Sequence, residues 1–266
     1  MISWPLFKYN LRQNRTLWLI TLAIFAMYLM IIMTMFDPDM VDSLEKMLEL
    51  LPEGLVRAMG FETFGTTLLT FIANYIYGFL VFLFPMIYSV MVNHRLIAQH
   101  IDKGSMSYLL ATPNTRRKLV LTQVAFSVLG VTALFGAATV LALVSAAIMF
   151  PGAMEVGKFI LLNLYTVAVY LAVGGIGFLA GCLLEERISL AVGAGLPVMF
   201  LFFQMLGNAG DKLAWLGKLS LYYLFDFDRL FAPEQNVLPQ AGALLAIAAV
   251  TYALAVRSFE KRDMHV

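Results

Sequence analysis

Few residues in this sequence belong to the types that carry out chemistry, and their spacing does not suit nucleotide hydrolysis. A phosphate-binding loop needs the pattern G-x-x-x-x-G-K-[ST], in which backbone amides and the lysine hold the phosphates. The nearest match is Gly217-Lys218. Lys212 stands where the first glycine is required, and Leu219 stands where the hydroxyl residue is required. We therefore expect this chain not to hydrolyse ATP by such a loop.

The histidines offer a second kind of chemistry, since metal-assisted hydrolysis needs ligands that converge on one ion. The three histidines are His94, His100 and His265, and all lie outside the apolar runs, in segments on the predicted cytoplasmic side. The first two are six residues apart, which does not place them on one face of a helix. We interpret them as solvated loop residues and predict no metal or cofactor on this chain.

The segment Glu185-Glu186-Arg187 is a short polar connection with two adjacent carboxylates. It has a weak similarity to the Glu-Glu-x-x-x-Arg motif of CAAX-type membrane proteases, but the arginine is at a different spacing. Such an enzyme also needs histidines inside its membrane spans, and the apolar runs of this sequence contain none. We therefore disfavour an intramembrane protease and interpret the segment as a tight turn.

The composition excludes an ordinary soluble domain. Of the 266 residues, 61% are hydrophobic and 13% are charged, whereas soluble domains are about 45–50% apolar and about 25% charged. Runs without Asp, Glu, Lys or Arg are long enough to cross a bilayer, which needs roughly 20 apolar residues. They cover residues 17–36, 68–92, 119–150, 159–184, 188–206 and 238–256. The sequence predicts one all-α integral membrane domain over residues 1–266, with six transmembrane helices.

The distribution of Lys and Arg predicts the orientation of these spans. The segments before span one, between two and three, between four and five, and after six together carry 12 basic residues. The alternate connections carry 6 basic residues but 12 acidic ones. Because cytoplasmic loops are enriched in Lys and Arg, we expect a multi-pass protein of the cell membrane with both termini in the cytoplasm.

Residues 3–15, before the first span, have the pattern of an amphipathic helix. Ser3 is a possible N-cap, and Pro5 falls in the first turn, where proline is tolerated. Apolar and basic side chains fall on different faces. The apolar face has Trp4, Phe7 and Leu11, and the basic face has Lys8, Arg12 and Arg15. We predict a helix lying at the lipid headgroups.

Two segments on the predicted outer side also have helical or membrane-associated patterns. In residues 37–67, apolar side chains recur at helical spacing up to Pro52, and they are Met40, Leu44, Met47 and Leu51. Residues 207–237 are too aromatic for a free loop and too charged for a seventh span. We predict that this segment re-enters the membrane, with Asp226, Asp228 and Arg229 in contact with water.

The most basic connection contains a short apolar-faced helix. Ser105 can cap it, and Met106, Leu109 and Leu110 share one face. The helix ends at Thr112-Pro113, because the residue before a proline is disfavoured in the α region. Thr115 can then cap the next helix. Such a helix suits a groove on another protein.

This run resembles the Gly-Thr-(Leu)-(Glu)-x-Leu-Leu-x-Thr-Pro-x-(Ser/Thr)-Arg signature in the cytoplasmic loop of ABC-2 type transporter permeases. The matching residues are Gly104, Leu109, Leu110, Thr112, Pro113, Thr115 and Arg116. Ser105, Met106 and Ser107 differ, and at Ser107 the acid is lost. The resemblance implies a cytoplasmic coupling helix that docks on an ATPase. The docking residues would be Ser105, Met106, Tyr108, Leu109, Leu110, Thr112, Pro113 and Arg116.

The same resemblance implies further elements and partners. The N-terminal amphipathic helix would be an elbow helix, and re-entrant outer helices would lie between spans five and six. A second cytoplasmic contact would involve Glu185, Glu186 and Arg187. Two separate ATPase subunits would carry the ATP and Mg, and a second permease copy or a sister permease would complete the membrane part. Lipid is the surrounding partner, and no nucleic acid is expected.

Uncharged polar residues inside the spans are the candidates for a substrate path. The resemblance points to spans two and five, and hence to Asn74, Tyr77, Phe203 and Gln204. Interhelical hydrogen bonds are the alternative role for such residues. A path without charges favours an amphipathic or apolar substrate, such as a peptide antibiotic, a drug or a lipid-like molecule.

We therefore predict the permease subunit of an ATP-driven exporter. The alternative is an accessory or immunity subunit that binds an antimicrobial peptide without transporting it. The small-residue patch in span four, which contains Gly174, Gly175, Gly177 and Gly181, predicts close helix packing within one chain or between two chains.

Overall fold

The computed structural model of the protein describes residues 2–37, 55, 67–102, 106, 114–231 and 236–262, without the side chains of Glu186 and Asp211. These residues form helices and connections, with no strand among them. The α-helices are α1 (Trp4–Met35), α2 (Leu68–Ile72), α3 (Phe84–Leu96), α4 (Ala98–Asp102), α5 (Arg116–Met149), α6 (Val156–Leu183), α7 (Glu186–Asn208), α8 (Ala214–Gly217) and α9 (Leu238–Lys261). A π-helical turn spans Ala73–Tyr77, and 3-10 turns span Leu80–Phe82, Asp211–Leu213, Leu221–Leu224 and Asp228–Leu230.

Six helical segments in the described part are long and apolar enough to cross a membrane. They are Trp4–Met35, Leu80–Asp102, Arg116–Met149, Val156–Leu183, Arg187–Asn208 and Leu238–Lys261. The predicted all-α membrane fold with six spans is confirmed. The amphipathic helix predicted around Met40, Leu44, Met47 and Leu51 lies outside the described residues.

The two ends of the bundle are defined by contacts between helix termini. At one end, called the termini end, the Ser3 amide donates to Thr122 Oγ1 at 2.8 Å, and Arg116 donates to the Arg262 carbonyl at 2.9 Å. At the opposite end, called the far end, the Phe36 ring packs edge-on against the rings of Phe71 and Phe150. The described N- and C-terminal residues thus share one end, as an even number of spans requires.

Helix α6 forms the centre of the bundle and packs against α3, α5, α7 and α9. Its glycines permit these contacts, because a Cβ at Gly175 would lie 2.2 Å from Thr251 Oγ1 of α9. A Cβ at Gly177 would lie 3.9 Å from the Cα of Gly193 in α7. The small-residue patch therefore packs helices within this chain.

Helix α1 is continuous for 32 residues, about 48 Å at 1.5 Å per residue. The predicted elbow helix is therefore not a separate element but the first turns of α1, because no glycine or proline interrupts the chain between Arg15 and Leu17. These turns nevertheless lie across the start of α5. Contacts of Ser3, Phe7 and Asn10 stay within one turn of α5, at residues 122–126. Lipid contact by this segment stays a prediction.

The second apolar run, residues 68–92, is not one regular helix. Helix α2 passes into the π-helical turn, and the chain breaks at Phe79, whose φ is −142° and ψ −53°. The break has a local cause, because Pro85 in the first turn of α3 has no N–H to donate to the carbonyl of Val81. The hydroxyl of Tyr170 in α6 donates to that carbonyl instead. Helix α6 thus supplies the hydrogen bond that Pro85 cannot make in the second run.

Arg262 joins the ends of α6 and α9 at the termini end. Its guanidinium donates to the carbonyls of Cys182 at 2.8 Å and Leu184 at 3.4 Å, which are acceptors that the end of α6 leaves unpaired.

We expect Arg262→Met to lower the free energy of unfolding by about 1–2 kcal/mol, because charge-assisted hydrogen bonds are lost. The measurement is the thermal unfolding midpoint of the purified protein in one detergent. Lys261→Met is the control, since Lys261 is exposed on the same turn. Equal midpoints for the two variants would contradict the assigned role of Arg262.

Candidate functional site

A cavity of about 630 Å³ opens at the far end of the bundle. Its wall comes from the broken second span, from the last turns of α7 and from the segment between α7 and α9. The lining residues are Asn74, Tyr77, Gly78, Phe82, Gln204, Asn208, Tyr222, Tyr223, Leu224, Phe225, Asp226, Phe227, Asp228, Arg229 and Gln240. Its volume falls in the range of about 300–1,000 Å³ that is usual for small-molecule sites.

The broken span supplies the first wall through the π-helical turn. Tyr77 is fully buried, and its hydroxyl donates to Asn163 Oδ1 at 2.8 Å. Asn163 in turn donates to the carbonyl of Phe159 at 2.9 Å. Tyr77 is therefore a fixed part of the wall, whereas Asn74, at 5% exposure, keeps a small accessible surface.

Helix α7 supplies the second wall through two amides one turn apart. Gln204 Nε2 donates to Asn208 Oδ1 at 3.3 Å. The Oε1 atom of Gln204 is buried and has no hydrogen-bond partner among the described residues. Phe203 is not among the lining residues, because the neighbouring position on a helix points about 100° away. The structure thus brings together Asn74, Tyr77 and Gln204 from the predicted path, and leaves Phe203 out.

The segment between α7 and α9 supplies the third wall by folding back into the bundle. Ser220 Oγ donates to the carbonyl of Phe200 at 2.7 Å, which lies about 12 Å before the end of α7 by helical rise. The Tyr165 hydroxyl in α6 donates to the carbonyl of Leu224 and accepts from the Asp226 amide at 3.1 Å. The segment predicted to re-enter the membrane thus forms short turns that contact α6 and α7, and its depth in the membrane stays a prediction.

Charged groups are confined to the mouth of the cavity. Arg229 Nε donates to Asp226 Oδ2 at 2.7 Å, and both side chains are about 40% exposed. The Gln240 amide, with its oxygen toward Arg229, accepts from Nη1 at 2.6 Å and joins this pair to the start of α9. The hydrogen bond to Asp226 raises the pKa of Arg229, although a guanidinium is charged at physiological pH even without this shift.

Sequence reasoning missed two kinds of lining residue. Phe82 was hidden inside an apolar run, and its role depends on the break that precedes it. The aromatic residues from Tyr222 to Phe227 were recognised as a re-entrant segment but not as a cavity wall. The sequence signal for this wall was the large number of aromatic residues in a connection that also contains charged residues.

Comparison with known protein families identifies the chain. A family model described as ABC-2 family transporter protein matches residues 8–264, which is nearly the whole sequence. This chain belongs to the ABC-2 transporter family. No curated protein and no solved structure matches it in the corresponding comparisons. Membership makes the chain a membrane component of ABC transport.

Most of the predicted docking segment of this ABC-2 family member lies outside the described residues, including Ser105, Tyr108, Leu109, Leu110, Thr112 and Pro113. Met106 is described, helical and only 4% exposed. Its side chain belongs to the main hydrophobic core cluster, and whether Met106 also contacts a partner stays a prediction. Thr115 caps α5 as predicted, by accepting from the Lys118 amide at 3.2 Å. Arg116 is exposed.

The second predicted contact of the ABC-2 protein lies at the same end of the bundle as Arg116. Leu184 and Glu185 alone connect α6 to α7, so the connection is a tight turn. Glu185 and Arg187 are exposed, whereas the side chain of Glu186 is not described. Whether a partner contacts them stays a prediction.

The described part of the ABC-2 protein contains no group of three or more His, Cys, Asp or Glu side chains that could hold a metal ion. His94 and His100 follow one another along α3 and α4 at the termini end.

Proposed function

We propose that this chain is the permease subunit of an ABC exporter, which couples ATP hydrolysis on separate ATPase subunits to efflux of an amphipathic or apolar substrate. Two membrane subunits, as a homodimer or with a sister permease, would form the working transporter. The observation that carries the proposal is the far-end cavity, in which neutral polar and aromatic residues of the second and fifth spans meet the re-entrant segment.

The termini end provides a route by which an ATPase could act on this cavity. Helix α4 and the start of α5 flank the docking segment, and α3 leads from α4 to the break at residues 78–83. A buried polar cluster joins α3 to its neighbours. Ser127 Oγ of α5 donates to Asn93 Oδ1 at 2.6 Å and contacts the Tyr252 hydroxyl of α9 at 2.8 Å.

This cluster supports a mechanical coupling. Movement of the docking segment would carry α3 and α5 together, because Ser127 of α5 is hydrogen-bonded to Asn93 of α3. The irregular backbone at residues 78–83 would absorb the change in angle, since neither flanking α-helix continues through it. The cavity wall formed by Asn74, Tyr77 and Gly78 would then shift relative to α7, and the path would open to the other side.

Filling the cavity should block transport without affecting assembly. We expect Gln204→Trp to reduce ATP-dependent export at least tenfold, because the indole would occupy the space between α7 and the re-entrant segment. The measurement is export of peptides and lipophilic drugs from proteoliposomes that contain the permease and its ATPase.

The matched control is Phe202→Trp. Phe202 lies on the same helix and is 59% exposed on the outer surface of the bundle, so its replacement should leave export unchanged. Unimpaired export by Gln204→Trp, with the variant folded and bound to the ATPase, would refute the cavity as the path.

A further inference from the structure

Hydroxyl, amide and charged side chains line the far-end cavity together with aromatic rings. Two hydroxyl donors in its wall are directed elsewhere, since Tyr77 donates to Asn163 and Tyr222 points at the Met86 sulfur, 3.9 Å away. Gln204 Oε1, by contrast, is a buried acceptor without a partner among the described residues.

The charged side chains that line the cavity favour a cation over an anion. Two carboxylates, Asp226 and Asp228, face a single guanidinium, Arg229, in the lining set. Arg229 is already held by Asp226 and Gln240. The lining therefore carries a net charge of about −1 at pH 7, because carboxylates and guanidinium are both ionised there.

The apolar part of the cavity consists of aromatic rings. Phe82 packs on Tyr222 with ring centroids 4.3 Å apart and against Phe225 at 5.7 Å. Tyr223, at 49% exposure, and Phe227 extend this surface toward the mouth. Aromatic faces carry partial negative charge, so they attract organic cations as well as apolar groups.

We propose that the cavity binds small organic cations that have an apolar or aromatic body. This inference rests on the proposed function in one respect, namely that the cavity belongs to the transport path and its ligand is a substrate. The cationic group would lie at the mouth near Asp226 and Asp228, and the apolar body would lie against the rings of Phe82, Phe225 and Phe227. An anion of the same size would be repelled by the net negative charge of the lining.

The test compares two ions of nearly the same size and shape and opposite charge, tetraphenylphosphonium and tetraphenylborate. Each radiolabelled ion is titrated onto the full-length protein in phosphatidylcholine nanodiscs, and binding to empty nanodiscs is subtracted. We expect saturable binding of the cation at least tenfold tighter than that of the anion, equivalent to about 1.4 kcal/mol.

Two variants assign the preference to the cavity. Asp228→Lys reverses an exposed charge at the mouth and should remove the tenfold preference. Glu155→Gln removes a carboxylate that is also exposed and also at the far end, but outside the cavity, and should preserve the preference. Equal binding of the two ions, no saturable binding of either, or an unchanged preference in Asp228→Lys would each overturn the proposal.

These measurements use the permease alone and require no ATPase. Export failure or absence of an ATPase partner would therefore overturn the proposed function while leaving the binding result as measured. Conversely, a loss of export in Gln204→Trp together with equal binding of the two ions would retain the permease function and exclude the cation preference.

Discussion

Replacing Leu109 and Leu110 together with aspartate is expected to abolish ATP-dependent export. The two leucines lie in the short apolar helix predicted between α4 and α5, and an apolar helix face binds a partner by burying its side chains in a groove. Two carboxylates in such a groove would be desolvated without a counter-ion, at a cost of several kcal/mol each. The ATPase would then separate from the permease.

The measurement is copurification of the tagged permease with its ATPase, followed by export from proteoliposomes. Ser107→Asp is the matched control, because it places a carboxylate in the same helix at the position where the family signature has an acid. We expect Ser107→Asp to copurify and export as the parent does. Normal copurification and export by the double variant would show that the docking assignment is wrong.

The burial of Met106 raises an alternative explanation for a loss of export, namely that the double variant destabilises the permease itself. Met106 is only 4% exposed, so we expect it to hold the predicted helix on the bundle. If Leu109 and Leu110 were also anchors, the double variant would lower the unfolding midpoint of the permease alone. An unchanged midpoint combined with loss of the ATPase is the result that docking requires.

The membrane fold could be predicted from the sequence because it depends on local composition. Six runs without formal charge must be helical in a bilayer, where every backbone polar group needs an internal partner. Residues 207–237 could also be recognised as an unusual connection, since they combine many aromatic rings with separated charges. The resemblance in residues 104–117 indicated the family, which the match over residues 8–264 then showed.

The broken second span could not be located with the same accuracy. Gly78 and Pro85 permit a kink in this span, but the position of the break depends on a partner far along the chain. The carbonyl of Val81 is stabilised by the hydroxyl of Tyr170, 89 residues later. Such a contact follows from the packing of α3 against α6, which hydropathy does not encode.

The predicted substrate path shows the same division between local and long-range information. Three of its four residues line one cavity, because polar residues in apolar spans are directed away from lipid. Phe203 was predicted to line the path together with Gln204, which follows it directly in the sequence. The rotation of α7 about its axis decides which of the two faces the cavity, and that rotation is set by contacts such as Gly177 with Gly193.

At Gly207, near the end of α7, the chain between α7 and α9 packs so closely on the helix that only a residue without a side chain fits. A Cβ at Gly207 would lie 2.5 Å from both the Cα and the N of Gly217 in α8. Real Cβ atoms do not approach backbone atoms so closely, and neither partner is a flexible side chain that can rotate away. The substitution Gly207→Ala must therefore separate α7 from α8.

We expect Gly207→Ala to lower the free energy of unfolding by about 1–3 kcal/mol, the usual cost of overpacking, and to reduce export at least tenfold. The loss of export follows because α8 leads directly into the turn where Ser220 donates to Phe200, and this turn begins the third wall of the cavity. The measurements are the unfolding midpoint in one detergent and export from proteoliposomes.

Gly195→Ala provides the control within the same helix. A Cβ at Gly195 would meet no atom within 4 Å, and alanine is the better helix former by about 1 kcal/mol. Gly195→Ala should therefore leave stability unchanged or increase it, with export unaffected. If Gly207→Ala also increased stability and preserved export, helix propensity would outweigh the close approach to Gly217, and the re-entrant segment would not depend on that contact.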